Sequence, residues 1–405
     1  MRSKTLLLIG FVSASIFANA QRQTKAYIIT GKSSSKFVWA DIKQIDISSG
    51  KIINTLFDSD KNTYKARALD ASAVTHNPTG FGVAACALDS RNNRLYFAPM
   101  HFSEISFMDL SSGDASFTTV KKHILPVPAN SYVAEEDQLT RMVIAADGYG
   151  YALTNDGNHL IRFSTGRKAV VEDLGALVDA ETNKGISIHN KCSSWGGDML
   201  ADAFGKLVVI SANHSVYSID PRTKIATFTG TITGLTPTFT TNGAVVDADG
   251  SIVVSSANVF EGLYRVNFKD LKAVKIPSDD KSSFNASDMA NGNFLLQDEA
   301  DAATKFDLSN AVTPKLAMDA SARVFPNPVT GSQFNVLFEN QKPGRYTILL
   351  TDVAGKVVQT KVVSVSKSGQ VEPIRFVSKI TRGTYLVKVI GEDKVSAFAE
   401  KVIIQ

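Results

Sequence analysis

The chain has 405 residues, 44% of them hydrophobic and 20% charged, with 27 Gly, 12 Pro and 2 Cys, a composition that excludes intrinsic disorder, collagen and a disulfide framework. Its net charge of +4 divides unevenly: residues 1–20 carry +2, residues 321–405 carry +6, and the stretch between them carries −4. The long middle part therefore has no general attraction for nucleic acid or an anionic membrane.

Residues 1–20 begin with Arg2 and Lys4, continue through an apolar run from Leu6 to Phe17 and end Ala18-Asn19-Ala20. This is the pattern of a secretory signal peptide cleaved after Ala20. The run is shorter than the ~20 residues a spanning helix needs, and no later stretch could span a bilayer, so the mature chain is expected to have no transmembrane segment. Export makes a disulfide chemically permissible, but Cys86, in the apolar run GVAACALD, reads as a buried free thiol, and Cys192 lies far away in SIHNKCSSWGG.

From residue 22 to about 315 two units alternate. The first is an apolar strand, a turn with Asp and Gly or Asn, and a second apolar strand, as in ACALDSRNNRLYFA (85–98), MVIAADGYGYALT (142–154), MLADAFGKLVVIS (199–211), AVVDADGSIVVSS (244–256) and SDMANGNFLLQ (287–297). The second is a strand, a polar turn and a closing strand, anchored on Asp46, Asp109, Ser164, Asp220, Asn267 and Asp307. Six copies of the second unit stand against five of the first. This imbalance is expected where a ring closes by pairing the two chain ends within one sheet. The anchors are 40 to 63 residues apart, which fits one four-stranded blade per repeat, so the fold is expected to be all-β: a β-propeller of about six blades over 22–315, followed by a small C-terminal β-sandwich. No Gly-His…Trp-Asp signature marks a propeller subfamily.

The insertions fall in the connections between blades, at 58–82, 121–141, 176–198, 230–243 and 277–286. Such connections gather on one face of a propeller, around the channel mouth, and make it the default binding face. His76, His189 and Trp195 lie in these loops and are candidates for contacting a ligand, whereas Trp39, inside the strand FVWADI, is expected to be core. Glu136, Asp137, Asp198, Asn242 and Asn285 each precede an innermost strand. If they converge, their hard oxygens could hold Ca²⁺ in the channel. HExxH, GxSxG and a glycine-rich phosphate loop are missing from the sequence, which favours a protein or glycan binder over an enzyme. The alternative is a metal-dependent propeller hydrolase acting on lactones or phosphoesters.

After Pro314 the repeat stops, and from about 321 alternating strands bounded by turns suffice for a sandwich of about seven strands. Its landmarks are Pro326-Asn327-Pro328, Gly344-Arg345-Tyr346, the Asp352–Lys356 turn that contains Gly355, Gly383-Thr384-Tyr385-Leu386, and Lys401-Val402-Ile403 at the chain terminus. In this order and position they resemble the type A C-terminal sorting domain of the type IX secretion system of Bacteroidetes. The resemblance implies export to the periplasm and transport across the outer membrane. It further implies handling by the type IX machinery, removal of the domain by a sortase-like peptidase, and release of the cargo or its attachment at the cell surface.

Overall fold

The computed structural model describes residues 22–405 except 75, 126–131, 167–168, 278–283, 303–321, 340, 353–356, 378–379 and 392–395. The signal-peptide segment and the sixth copy of the second unit, at 304–310, lie outside the described residues. The chain divides into two compact units, 1–303 and 304–405.

The first unit contains five sheets among its described residues, each with a four-stranded antiparallel core. Blade I runs from its inner strand Ala286–Ala290 outward through Lys25–Lys32, Ser35–Asp46 and Ile52–Phe57. Blade II runs from Val83–Asp89 through Arg94–Pro99 and Ile105–Asp109 to Ser116–Lys121, and a short fifth strand, Lys65–Ala68, pairs parallel to its outer edge. Blade III comprises Leu139–Ile144, Tyr149–Thr154, Leu160–Ser164 and Val171–Asp173. Blade IV comprises Asp198–Ala201, Leu207–Ile210, Ser215–Asp220 and Ile225–Thr231, with Val178–Asp179 as a parallel fifth strand. Blade V comprises Gly243–Val246, Ile252–Ser255, Tyr264–Val266 and Ala273–Lys275. Each inner strand lies beside the next, and the fifth returns to the first, so the sheets close a ring.

Five apolar clusters fill the five blade interfaces. Ile29, Ile42 and Phe57 meet Phe97 between blades I and II. Tyr96 and Phe107 meet Ile161 and Phe163 between II and III, and Leu153 and Leu160 meet Val209 and Tyr217 between III and IV. Val208 and Val216 meet Val254 and Tyr264 between IV and V, and Val245 and Val253 meet Ile28 and Ile45 between V and I. A blade packed on both faces needs apolar residues at every strand position, which is why Val83–Asp89 is buried throughout rather than alternating.

Among the described residues the sheets make five blades, and the sixth copy of the second unit lies outside them. The ring closes as the imbalance of the two units predicts: the last copy of the first unit supplies the inner strand of the blade whose outer strands come from the N-terminus. The copies at 42–57 and 287–297 therefore belong to one blade. The second-unit anchors recur because each closes its own turn: Asp46, Asp109, Asp220 and Asn267 accept amides two or three residues on, from Ser49, Ser111, Arg222 and Lys269 at 2.8–3.0 Å.

The second unit pairs a three-stranded sheet, in the order Ala322–Phe325, Gln333–Phe338, Gln370–Arg375, with a four-stranded sheet, in the order Val357–Val365, Gly344–Asp352, Gly383–Ile390, Ser396–Ile404. Phe334, Val336 and Phe338 of one sheet pack with Ile348, Leu350, Val387 and Val402 of the other in a single core. This is the seven-stranded sandwich expected from the alternation. Asn327 spreads its amide across the last strand, donating to the Lys401 carbonyl at 2.7 Å and accepting from the Ile403 amide at 3.0 Å. The two Gly-x-Tyr segments act alike: the hydroxyls of Tyr346 and Tyr385 each donate, at 2.8 Å, to a carbonyl four residues upstream, of Lys342 and Thr381. Asp352 pairs in register with Tyr385, and Pro326 and Pro328 flank Asn327 in the connection between the strands Ala322–Phe325 and Gln333–Phe338. Gly355 and Lys356 lie outside the described residues.

Candidate functional site

Inner strands run away from the loops that enter each blade, so those loops and the turns joining each second strand to its third share one face. Exposed aromatic rings collect there, on blades V, I and II. Phe37, 60% exposed, stands edge-on to Trp39 and to Phe260, with ring centroids 6.3 Å apart in both pairs. Beside it, Phe81 contacts Phe102 at 5.4 Å and Tyr132 at 6.0 Å, and Tyr132 is 61% exposed. Gly82 joins the two groups. Its φ of +96° suits glycine, and a Cβ there would lie 3.0 Å from the Met100 sulfur and 3.7 Å from the Trp39 amide. Beneath the rings His76 stacks on Phe102, 4.0 Å away and 3° from parallel, and its Nε2 meets the buried Glu104 carboxylate at 3.1 Å. The Trp39 indole N–H and the Thr79 hydroxyl are buried without a hydrogen-bond partner. Contiguous exposed apolar surface of this kind marks interaction sites.

Of the ligand-contact candidates, His76 belongs to this patch. His189 and Trp195 belong to the blade IV entry loop and hold it together: both His189 ring nitrogens face carbonyls, of Asp156 at 2.6 Å and Leu177 at 3.2 Å. The Trp195 indole donates to the His189 carbonyl at 3.2 Å, and the Lys191 ammonium lies over its ring at 4.6 Å. Trp39, expected as core, is only partly buried, at the edge of the cluster between blades I and II.

The five oxygen-bearing candidates have separate surroundings. Glu136 is exposed, and Asp137 is partly buried with its carboxyl raised by desolvation and by the charge of Asp156. Asn242 accepts from the Thr240 hydroxyl at 2.6 Å and the Ala257 amide at 3.0 Å. Asn285 donates to the Lys36 and Ala257 carbonyls at 2.8 and 3.2 Å, so both asparagines clamp loops. Among the described residues no group of three His, Cys, Asp or Glu side chains is spaced to hold a metal.

Asp198 lies buried at the start of the blade IV inner strand, near Asp288, Cys86 and Arg141. Its Oδ1 accepts the Met199 amide and its Oδ2 the Ala244 amide of the next blade, both at 2.6 Å. Asp288, at the same position on blade I, accepts the Cys86 thiol at 3.2 Å, while its Oδ2 has no partner. Burial pushes both carboxyls and the Cys86 thiol well above their ordinary values. On blade III the position is Arg141, also fully buried. Its guanidinium donates to four carbonyls, of Gly196 at 2.8 Å, Thr154 at 3.1 Å, Asn155 at 3.2 Å and Ser194 at 2.5 Å, and desolvation lowers its pKa to about 10. Aligning Asp198-Met199, Asp288-Met289 and Arg141-Met142 in the first-unit copies exposes this layer in the sequence.

Residues 323–405 match the family described as the secretion system C-terminal sorting domain. No curated protein matches the chain. Solved structures similar to it include PorZ, described as an essential bacterial surface component of the type-IX secretion system of Porphyromonas gingivalis. PorZ is 13% identical, with 93% of this chain and 51% of that one covered and a TM-score of 0.33, so this chain spans about half of PorZ. Virginiamycin B lyase from Staphylococcus aureus is 11% identical, with 94% and 96% covered and a TM-score of 0.32. A Bacteroides thetaiotaomicron protein of unknown function is 13% identical, with 66% and 70% covered and a TM-score of 0.38. The C-terminal segment is thus a sorting domain, which marks the chain for export by the type IX secretion system. Among the described residues no helix is long and apolar enough to cross a membrane.

Proposed function

We propose that the chain is an exported propeller whose loop-rich face binds a partner outside the cell, with the aromatic patch of blades V, I and II as the contact. The carrying observation is that Phe37, Phe81, Tyr132 and Phe260 are each at least 41% exposed and share one face. Aromatic side chains dominate the buried centres of recognition sites because they bring large, rigid area at little entropic cost. Protein is the partner class favoured by this composition, since three of the four exposed rings are Phe and offer no polar handle for a sugar hydroxyl. Signal-peptide cleavage after Ala20, removal of the sorting domain by a sortase-like peptidase and a final place at the cell surface or in the medium belong to the same reading. The hydrolase alternative lacks a side-chain metal cluster among the described residues.

Replacing Phe37, Phe81 and Tyr132 together by Ala tests the contact. Binding of the purified protein to cells of a type IX-secreting strain and to a glycan array is expected to fall at least about 10-fold on cells and to be absent on the array. Unchanged cell binding by the triple variant contradicts the reading.

A further inference from the structure

An antiparallel sheet that covers a core on one face and meets water on the other alternates apolar and polar side chains. The four-stranded sheet of the sorting domain departs from that rule on its outer face. Val357 and Val362 of the strand Val357–Val365, Leu386 of Gly383–Ile390 and Ile403 of Ser396–Ile404 are each at least 40% exposed. In register, Val357, Thr351, Leu386 and Lys401 form one row across the four strands, and Leu349 and Lys388 lie side by side in the next. These positions alternate with the buried Ile348, Leu350, Val387 and Val402, so they share the surface turned away from the core. Its charges are Arg345, Lys388 and Lys401, and among the described residues no outward position of the four strands holds Asp or Glu. Contiguous exposed apolar surface marks an interaction site.

The edges of the sandwich are occupied by the domain itself. Along the last strand, beside the Asn327 amide, the Val329 amide donates to the Ile403 carbonyl at 2.7 Å and the Gln405 amide to the Val329 carbonyl at 2.9 Å. Glu400 accepts the Val324 amide at 2.9 Å. At the opposite edge the side chains of Gln359 and Lys361 cross to the Arg375 and Pro373 carbonyls of the other sheet, at 2.7 and 2.8 Å. Edges covered in this way discourage the addition of a partner strand, which leaves the sheet face as the surface to be read.

We propose that the export machinery recognises the sorting domain on this outer face, by docking a protein surface with an apolar centre and an acidic rim. Three cations without a carboxylate set the sign of the partner, and a second copy would oppose cation to cation. The outward positions carry aliphatic side chains and no Trp or Tyr, which fits a protein surface better than a lipid interface, where aromatic anchors collect. The proposal rests on the sorting role of the domain and not on the aromatic patch of the propeller, so its failure leaves the partner reading unaffected.

The test uses the full chain in a type IX-secreting host. Val362→Glu combined with Leu386→Glu is expected to lower secretion at least about 10-fold and to leave full-length chain in the periplasm. Lys388→Glu combined with Lys401→Glu should do the same, whereas the corresponding pair of Arg substitutions should be secreted normally. Val371→Glu, at a position 44% exposed on the three-stranded sheet, should also be secreted normally. A photoreactive phenylalanine in place of Leu386 should give an adduct that mass spectrometry identifies as a type IX component. Normal secretion of both Glu pairs overturns the proposal, as does an equal loss with Val371→Glu. An adduct to the propeller, to a second copy or to lipid overturns it as well. If limited proteolysis shows that the Glu pairs do not fold, the adduct from position 386 decides alone.

Discussion

Arg141→Met gives the sharpest prediction about what holds the loop face in place. Methionine fills much of the same volume but cannot donate, so four carbonyls on two blades lose their partner at once. They belong to Thr154 and Asn155 at the end of a blade III strand, and to Ser194 and Gly196 in the blade IV entry loop. Hydrogen bonds to a charged group contribute ~1.5–3 kcal/mol each. They do not add fully, because the loop relaxes and water enters, and breaking one buried charged network costs ~3–5 kcal/mol in practice. We expect a loss of about 3–5 kcal/mol, a large part of the ~5–15 kcal/mol available to a domain. Both tryptophans, Trp39 and Trp195, lie in the first unit, so intrinsic fluorescence in a urea titration follows the propeller without interference from the sorting domain. Arg141→Lys should recover little, since one ammonium cannot reach four carbonyls. A midpoint within about 1 kcal/mol of the unaltered protein at unchanged m-value would refute the reasoning.

Two further outcomes follow from the fold. Asp198 and Asp288 have carboxyls raised above their unfolded values. Protonation therefore favours the native state, and the contribution is full below the unfolded value and lost as pH rises through the native one. The unfolding midpoint should decline as pH rises above the ordinary carboxylate range, and Asp288→Asn should flatten the curve; an opposite slope removes the carboxylate pair as its cause. Deleting residues 323–405 should leave the propeller in the periplasm of a type IX-secreting host, as fractionation and immunoblotting would report, whereas secretion at the normal level contradicts the sorting role.

Much of this architecture is legible in the sequence because each part has a local cause. The Asp and Asn anchors close turns with their own side chains, and the apolar runs between them have to be buried on both faces. The sorting domain is legible because Pro326-Asn327-Pro328 and the Gly-x-Tyr segments come in a fixed order. The closure is legible only as an imbalance in the copies of the two units, since nothing local names Ala286–Ala290 as the strand that pairs with Lys25–Lys32 across more than 250 residues. The aromatic patch is scattered for the same reason: Phe37, Phe81, Tyr132 and Phe260 come from four loops or strand ends that only ring closure unites. His189 and Trp195 look like ligand contacts in sequence, but loop backbone uses their polar atoms first. Asp198 reads in the sequence as a loop oxygen, whereas its neighbour Asp288 reads as an ordinary strand residue until the inner strands are aligned.

Face-specific crosslinking tests the central claim most directly. A photoreactive phenylalanine would be placed at Tyr132 on the loop face, or at Phe204, 57% exposed in the turn on the opposite face, in the chain exported by a type IX-secreting host. The account predicts a discrete higher-mass adduct from position 132 and none from position 204. Equal adducts from both positions, or an adduct from 204 alone, would contradict it.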